Sequence, residues 1–246
     1  LQDKLGHLQR DGYCVLERHF APPLIDACRE AFWPILIRYL ELHHHEPNRG
    51  PQRHFLPMSF EPPCFAPKFF FDDDLLSIMG TLMGDRLNID QWGCDVALQG
   101  SEHQGIHVDY RRPLFPELPD LSLPVYMLVV GFGLRAITLD DGPIEIAPGT
   151  HNMPRSQAQT AVESGEIQLQ PVPLDIGDVL VRHPWALHRG SPNRTDTPRT
   201  LVQLRYVRDW YIDNSREIAE LPPQVWSSLT SAQQRMMRFP AVEGAV

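Results

Sequence analysis

The chain has 246 residues, with 22 basic against 31 acidic side chains and a formal net charge of -9. That length fits one large domain or two small ones and is enough to bury a substantial core, and an acidic balance without a dense Lys/Arg run argues against nucleic-acid or anionic-membrane partners and for a small molecule. Four widely spaced cysteines (Cys14, Cys28, Cys64, Cys94) with no Cys-x-x-Cys pair exclude a disulfide framework, and no basic leader or bilayer-length apolar run is present, so the expectation is a cytoplasmic protein with reduced core thiols.

In chain order, Leu1, Leu5 and Leu8 predict a first helix, and Asp11-Gly12 a turn into a short strand from Tyr13. Pro22-Pro23 opens a helix with Leu24, Ile25, Ala27, Cys28, Ala31 and Phe32 on one face, which Pro34 is expected to kink or interrupt. His43-His44-His45 makes a poor metal site, because successive helical residues point about 100° apart; a solvated helix end is the reading. Residues 46–74, dense in Pro and Phe, read as a loop packing aromatics on the body, with a pocket-covering role as the alternative. Asp72-Asp73-Asp74 supplies the cap and first turn of a helix that runs through Leu82 and Met83 and closes at Gly84.

From Leu87 the pattern turns to β, in short stretches at 87–98, 106–110, 125–132, 142–146, 167–171, 178–182, 186–189 and 200–207. Short strands separated by Gly, Pro and Asp turns predict a mainly β fold, a double-stranded β-helix (jelly roll, cupin-like) core at about 87–208 flanked by α-helices, within a single domain spanning 1–246. Pro222-Pro223 and Ser231 to Met237 predict terminal helical turns.

Within Gln104-Gly105-Ile106-His107-Val108-Asp109-Tyr110, His107 and Asp109 lie two residues apart, so an extended backbone turns both into one cavity and Val108 away. His188 is the best third ligand, and two histidines with one carboxylate leave three octahedral positions open, as in non-haem Fe(II) oxygenases. Arg199, eleven residues on (199 - 188), reaches the same cavity if its strand neighbours that of His188, and a buried guanidinium there needs a carboxylate such as a dicarboxylate cosubstrate. Gly142 and Gly149 bracket a short strand; His151, after a Pro-Gly turn, is expected to orient its loop.

These elements resemble the phytanoyl-CoA dioxygenase family of Fe(II)- and 2-oxoglutarate-dependent oxygenases. They are Asp11-Gly12-Tyr13, Gln104-Gly105-Ile106-His107-Val108-Asp109, Gly142-Pro143-Ile144-Glu145-Ile146-Ala147-Pro148-Gly149-Thr150-His151, Gly177-Asp178, and His188-Arg189-Gly190-Ser191 with Arg199. The resemblance implies iron ligands His107, Asp109 and His188, Arg199 on the distal carboxylate of 2-oxoglutarate, and Gln104 as a further 2-oxoglutarate contact. It implies O2-dependent conversion of 2-oxoglutarate to succinate and CO2, coupled to oxidation of a C–H bond in a small organic molecule such as a natural-product intermediate, most commonly hydroxylation. Ile144 stands where Thr is common and Thr150 where Ser is common, which removes one hydroxyl from the cosubstrate's surroundings. Related halogenases lack the carboxylate ligand, so Asp109 argues against that outcome. Two alternatives stand beside this reading: a cupin-like metalloenzyme without cosubstrate, which leaves Arg199 no task, and a non-catalytic binding protein, in which a ligand is commonly lost. Tyr110, Arg111, Arg112, Tyr126, Trp185 and Trp210 are further candidates for the cavity wall.

Overall fold

The computed structural model describes residues 1–43, 45–109, 123–212 and 220–239. Among the described residues nine strands form two antiparallel sheets. They are β1 (Tyr13–Leu16), β2 (Arg53–Pro57), β3 (Leu87–Ala97), β4 (Met127–Gly133), β5 (Ile144–Ile146), β6 (Gln170–Val172), β7 (Val179–Arg182), β8 (His188–Gly190) and β9 (Arg199–Arg208). The large sheet runs β1-β7-β4-β9-β3-β2 and the small one β6-β5-β8. This is the expected jelly roll, and its large sheet draws β1 and β2 from outside residues 87–208.

The two faces of the large sheet divide by residue parity. Trp92, Cys94 and Val96 of β3, Leu128, Val130 and Phe132 of β4, and Val202, Leu204 and Tyr206 of β9 all join one buried core. Onto it pack Ile25, Cys28, Phe32 and Leu36 of α2 (Pro22–His43, following α1 at Gln2–Asp11), and Leu75, Ile78 and Met79 of α4 (Asp73–Met83). Phe69 and Phe70, on the short α3 (Pro67–Phe70), are fully buried there, each worth about 1.5–3 kcal/mol over an exposed ring. The opposite parity, including Gln91, Asp95, Val129, Arg199, Leu201 and Gln203, faces the small sheet across a cavity of about 520 Å³.

Several departures from expectation have local causes. Pro34 does not interrupt α2: it lies on the exposed face, where the missing hydrogen bond falls on the solvent side of the helix. The stretch 46–74 holds an edge strand, β2, whose ladder with β3 ends at Pro57, besides packing its phenylalanines into the core as expected. The helix α5 (Arg155–Glu163) was not expected, because it buries only Ala158 and Ala161 and carries little apolar pattern. Asp72 caps α4, accepting the Leu75 N–H at 2.9 Å. The terminal helices α6 (Pro223–Ser228) and α7 (Ser231–Met236) follow their start signals, and the four cysteines are buried and unbridged. Among the described residues no helix is long and apolar enough to cross a membrane.

Candidate metal and cosubstrate site

The segment expected as a strand at 106–110 is ragged: within the described residues it makes a single bridge, His107 opposite His188, and Tyr110 lies outside them, as do Arg111 and Arg112. Backbone bonds still hold the segment along β8. Gln104 N–H donates to Gly190 O at 3.0 Å, His107 and His188 exchange both backbone bonds at 2.9 Å, and Asp109 N–H donates to Pro184 O at 3.1 Å. Directly opposed residues of an antiparallel pair project to the same side, so the two imidazoles meet with centroids 4.5 Å apart. Asp109 joins them, and Val108 is buried on the other side beside Ala147 and Leu187. One nitrogen of each ring and one oxygen of Asp109 all lie within 4.8 Å of one another.

Each donor is held by the protein. His107 Nδ1 bonds Gly105 O at 2.7 Å and His188 Nδ1 bonds Ala186 O at 2.8 Å. A carbonyl only accepts, so both Nδ1 carry the proton and both Nε2 lone pairs stay free for a metal. Arg182, at the end of β7, donates Nη1 to Asp109 Oδ2 at 2.7 Å, while Oδ1 lies 3.5 Å from His188 Nε2. Burial alone raises the Asp109 pKa, but the Arg182 guanidinium holds it well below the usual carboxylate range. Burial, with His188 alongside, brings His107 down to about 4. At neutral pH these two candidate ligands are therefore unprotonated, as a metal would need them. Behind β8, Thr150 Oγ1 accepts the Leu187 N–H at 2.9 Å and donates to Ala147 O at 2.8 Å, which fixes the backbone entering His188.

Arg199 and His188 are not on neighbouring strands; β9 and β8 belong to different sheets and face each other across the cavity. Arg199 is 2% exposed, its Nη1 donates to Asp95 O at 3.2 Å, and its Nε has no partner among the described residues. The Asp95 carboxylate is 4.0 Å from Nη1, too far for a hydrogen bond. Arg53, absent from the sequence reading, shares this end of the cavity: it aligns with Ala97, and Ala97 with Arg199, across β2, β3 and β9. Its Nε and Nη2 bond the carbonyl of Glu102, Nη2 also that of Ser191, and Nη1 is buried without a partner among the described residues. Burial and the Arg199 charge lower its pKa to about 10. Two buried guanidiniums with unfilled donors make a site for a carboxylate. Gln104 lies beside it, with Oε1 on Gly190 N–H at 2.9 Å and Nε2 on Arg49 O at 3.1 Å. Ile144 lines the cavity where a hydroxyl was expected in the family.

His151 stands apart from the three donors and bonds Gln9 O at 3.2 Å, orienting its loop as expected; it follows Gly142 and Gly149, at φ 78° and 76°, which bracket β5. Tyr126, Trp185 and Trp210 cluster with Tyr211 instead of lining the cavity, whereas Asn48, Arg49, Gly50 and Pro51 do line it. Sequence reasoning missed Arg53, Arg182, Gln91 and Gln203. The alternation Arg199, Leu201, Gln203 along β9 was the available signal for the last of these.

A jelly roll whose cavity gathers two imidazoles and a carboxylate opposite a buried arginine defines the class of non-haem iron oxygenases. The chain matches the family model "Phytanoyl-CoA dioxygenase (PhyH)" over residues 8–201 and belongs to that family; it is an iron- and 2-oxoglutarate-dependent enzyme, with O2 as the other cosubstrate. Its fold is similar to that of the non-heme alpha-ketoglutarate-dependent carbocyclase SnoK of nogalamycin biosynthesis (TM-score 0.63, 16% identity, covering 85% of this chain and 84% of that one). It is also similar to EctD from S. alaskensis, solved with bound Fe (TM-score 0.62, 21% identity, 85% and 76% covered). A third likeness is to HygX from Streptomyces hygroscopicus, solved with nickel and 2-oxoglutarate (TM-score 0.61, 20% identity, 90% of each chain covered).

Proposed function

We propose that this enzyme oxidises, by hydroxylation, a C–H bond of a small organic molecule, with His107, Asp109 and His188 holding Fe(II) and Arg199 holding the distal carboxylate of 2-oxoglutarate. The observation that carries this reading is the convergence of three donor atoms within 4.8 Å in the cavity that also holds the unfilled Arg199 Nε. When bound, iron with 2-oxoglutarate and O2 supplies the oxidising power, releasing succinate and CO2.

The chain's own residues do the positioning. Gly105 O and Ala186 O set the tautomers of the two histidines. Arg182 occupies Asp109 Oδ2, so that Oδ1 is the oxygen left for the metal. Arg199 and Arg53 supply the fixed positive charge that a dicarboxylate needs, and Gln104 ties their neighbourhood to the backbone of β8. A cosubstrate-free metalloenzyme would leave both unfilled guanidinium donors buried without a purpose, at a cost of roughly 1–3 kcal/mol each.

The test is 2-oxoglutarate-dependent succinate release under air with iron. Asp109→Ala and His188→Ala are expected to abolish it, and Arg199→Gln to raise the 2-oxoglutarate concentration it requires. Undiminished iron-dependent turnover in either ligand variant would contradict the assignment.

A further inference from the structure

The inner face of the large sheet has two chemically different ends. Arg53, Ala97 and Arg199 share one row across β2, β3 and β9. Arg182, Val129, Arg205 and Gln91 share another, across β7, β4, β9 and β3. Along β3 the two rows are six residues apart (97 - 91), or about 20 Å of strand. The first end carries the unfilled arginines. The second carries Arg182, beside the metal donor Asp109, and Gln91, with Gln203 between the two ends opposite Gly93.

Gln91 is only 9% exposed, yet both glutamines line the cavity, and among the described residues neither carboxamide has a hydrogen-bond partner. Arg182 is 4% exposed and spends one nitrogen on Asp109; its guanidinium makes no other side-chain hydrogen bond among the described residues. Glycine at 93 keeps the wall open between the amides and seats the Phe55 ring, which would lie 2.3 Å from a Cβ placed there.

Resting on the oxygenase reading of the centre, we propose that the amide end is the substrate subsite and that it takes a small polyhydroxylated molecule. A carboxamide offers a donor and an acceptor side by side, and a hydroxyl answers both. Arg182 adds donors for an oxygen close to the metal. A hydrocarbon chain laid over this wall would strip water from two amides and a guanidinium and return nothing, weakening its binding roughly tenfold for each amide left unpaired.

The experiment is equilibrium dialysis under argon of the enzyme loaded with Fe(II) and 2-oxoglutarate. The probes are radiolabelled methyl hexosides, inositol, a disaccharide and decanoate, and the visible charge-transfer band is recorded on the same samples. Gln91→Met and Gln203→Met, near-isosteric and checked by circular dichroism, are run alongside. The expected result is retention of at least one polyol, retention falling roughly fivefold to tenfold in each variant, no retention of decanoate, and an unchanged band. Retention of decanoate with no polyol retained, or equal polyol retention in both variants, would overturn the subsite. The two readings separate cleanly: polyol retention without a band sinks the cosubstrate assignment and keeps the subsite, whereas a band without polyol retention sinks the subsite alone.

Discussion

Acid is expected to weaken the metal-free fold through His183, in the turn that carries Arg182 of β7 towards His188 of β8. The ring is neutral in the folded protein: Nδ1 accepts the Trp185 N–H at 3.2 Å, and burial, with His151 and Arg182 close by, brings its pKa down to about 3. In the unfolded chain the same imidazole titrates at its ordinary 6.5. Below pH 6.5 the unfolded chain therefore binds a proton that the folded one refuses; stability falls as the pH drops and levels off near 3, where the folded ring protonates too. At pH 5 the gap is 6.5 - 5 = 1.5 pH units, or about 2 kcal/mol at roughly 1.36 kcal/mol per unit. Urea unfolding of the metal-free protein at pH 8 and pH 5, for wild type and His183→Leu, reads this directly. The wild type should lose about 2 kcal/mol more than the variant between the two conditions. The variant also loses the Trp185 contact, but at both pH values, so it cancels. Equal losses in the two proteins would refute the reasoning.

Three further outcomes follow from packing and charge. A Cβ at Gly190 would lie 2.6 Å from Arg53 Nη1 and 2.8 Å from Gln104 Oε1, so Gly190→Ala should weaken 2-oxoglutarate binding about tenfold by calorimetry, near 1.4 kcal/mol, while iron is retained. Asp90, the extra residue of the β3 bulge, takes Arg205 Nε at 2.6 Å and Nη2 at 2.7 Å, both residues buried. Arg205→Met should cost about 3–5 kcal/mol in urea unfolding, and adding Asp90→Leu should recover much of that loss. Arg182→Met releases Asp109 Oδ2 and should lower Fe(II) affinity by about 10–100-fold in chelator competition, with the fold intact; unchanged affinity would remove Arg182 from the centre.

What could be read from the chain alone divides by how local the signal was. The helix at 73–83 was legible because cap, acidic first turn and closing glycine are adjacent in sequence. His107 and Asp109 were legible as neighbours because a spacing of two has one meaning in extended backbone. That meaning survived although the segment is no regular strand, since its backbone bonds to β8 replace a ladder. Arg199 was found by its distance from His188, yet the reason given, neighbouring strands, does not hold: the two come together across the cavity by the stacking of the sheets. Arg53 was hidden because β2 lies in a Pro-rich stretch with no alternation, and Arg182 because Val-Leu-Val-Arg reads as a buried strand whose last residue looks like an end. Both act through partners far away in sequence, Ser191 and Asp109, which no local pattern announces.

On the proposed reading one cavity holds both iron and 2-oxoglutarate, through His107, Asp109, His188 and Arg199. The most direct measurement is anaerobic titration of metal-free protein with Fe(II) and then 2-oxoglutarate, following the weak visible charge-transfer band of the chelated complex in wild type and Arg199→Gln. A band is expected in the wild type, and the variant should need a higher 2-oxoglutarate concentration to reach it. Iron binding with no band on adding 2-oxoglutarate would contradict the cosubstrate site, and no iron binding would contradict the metal site itself.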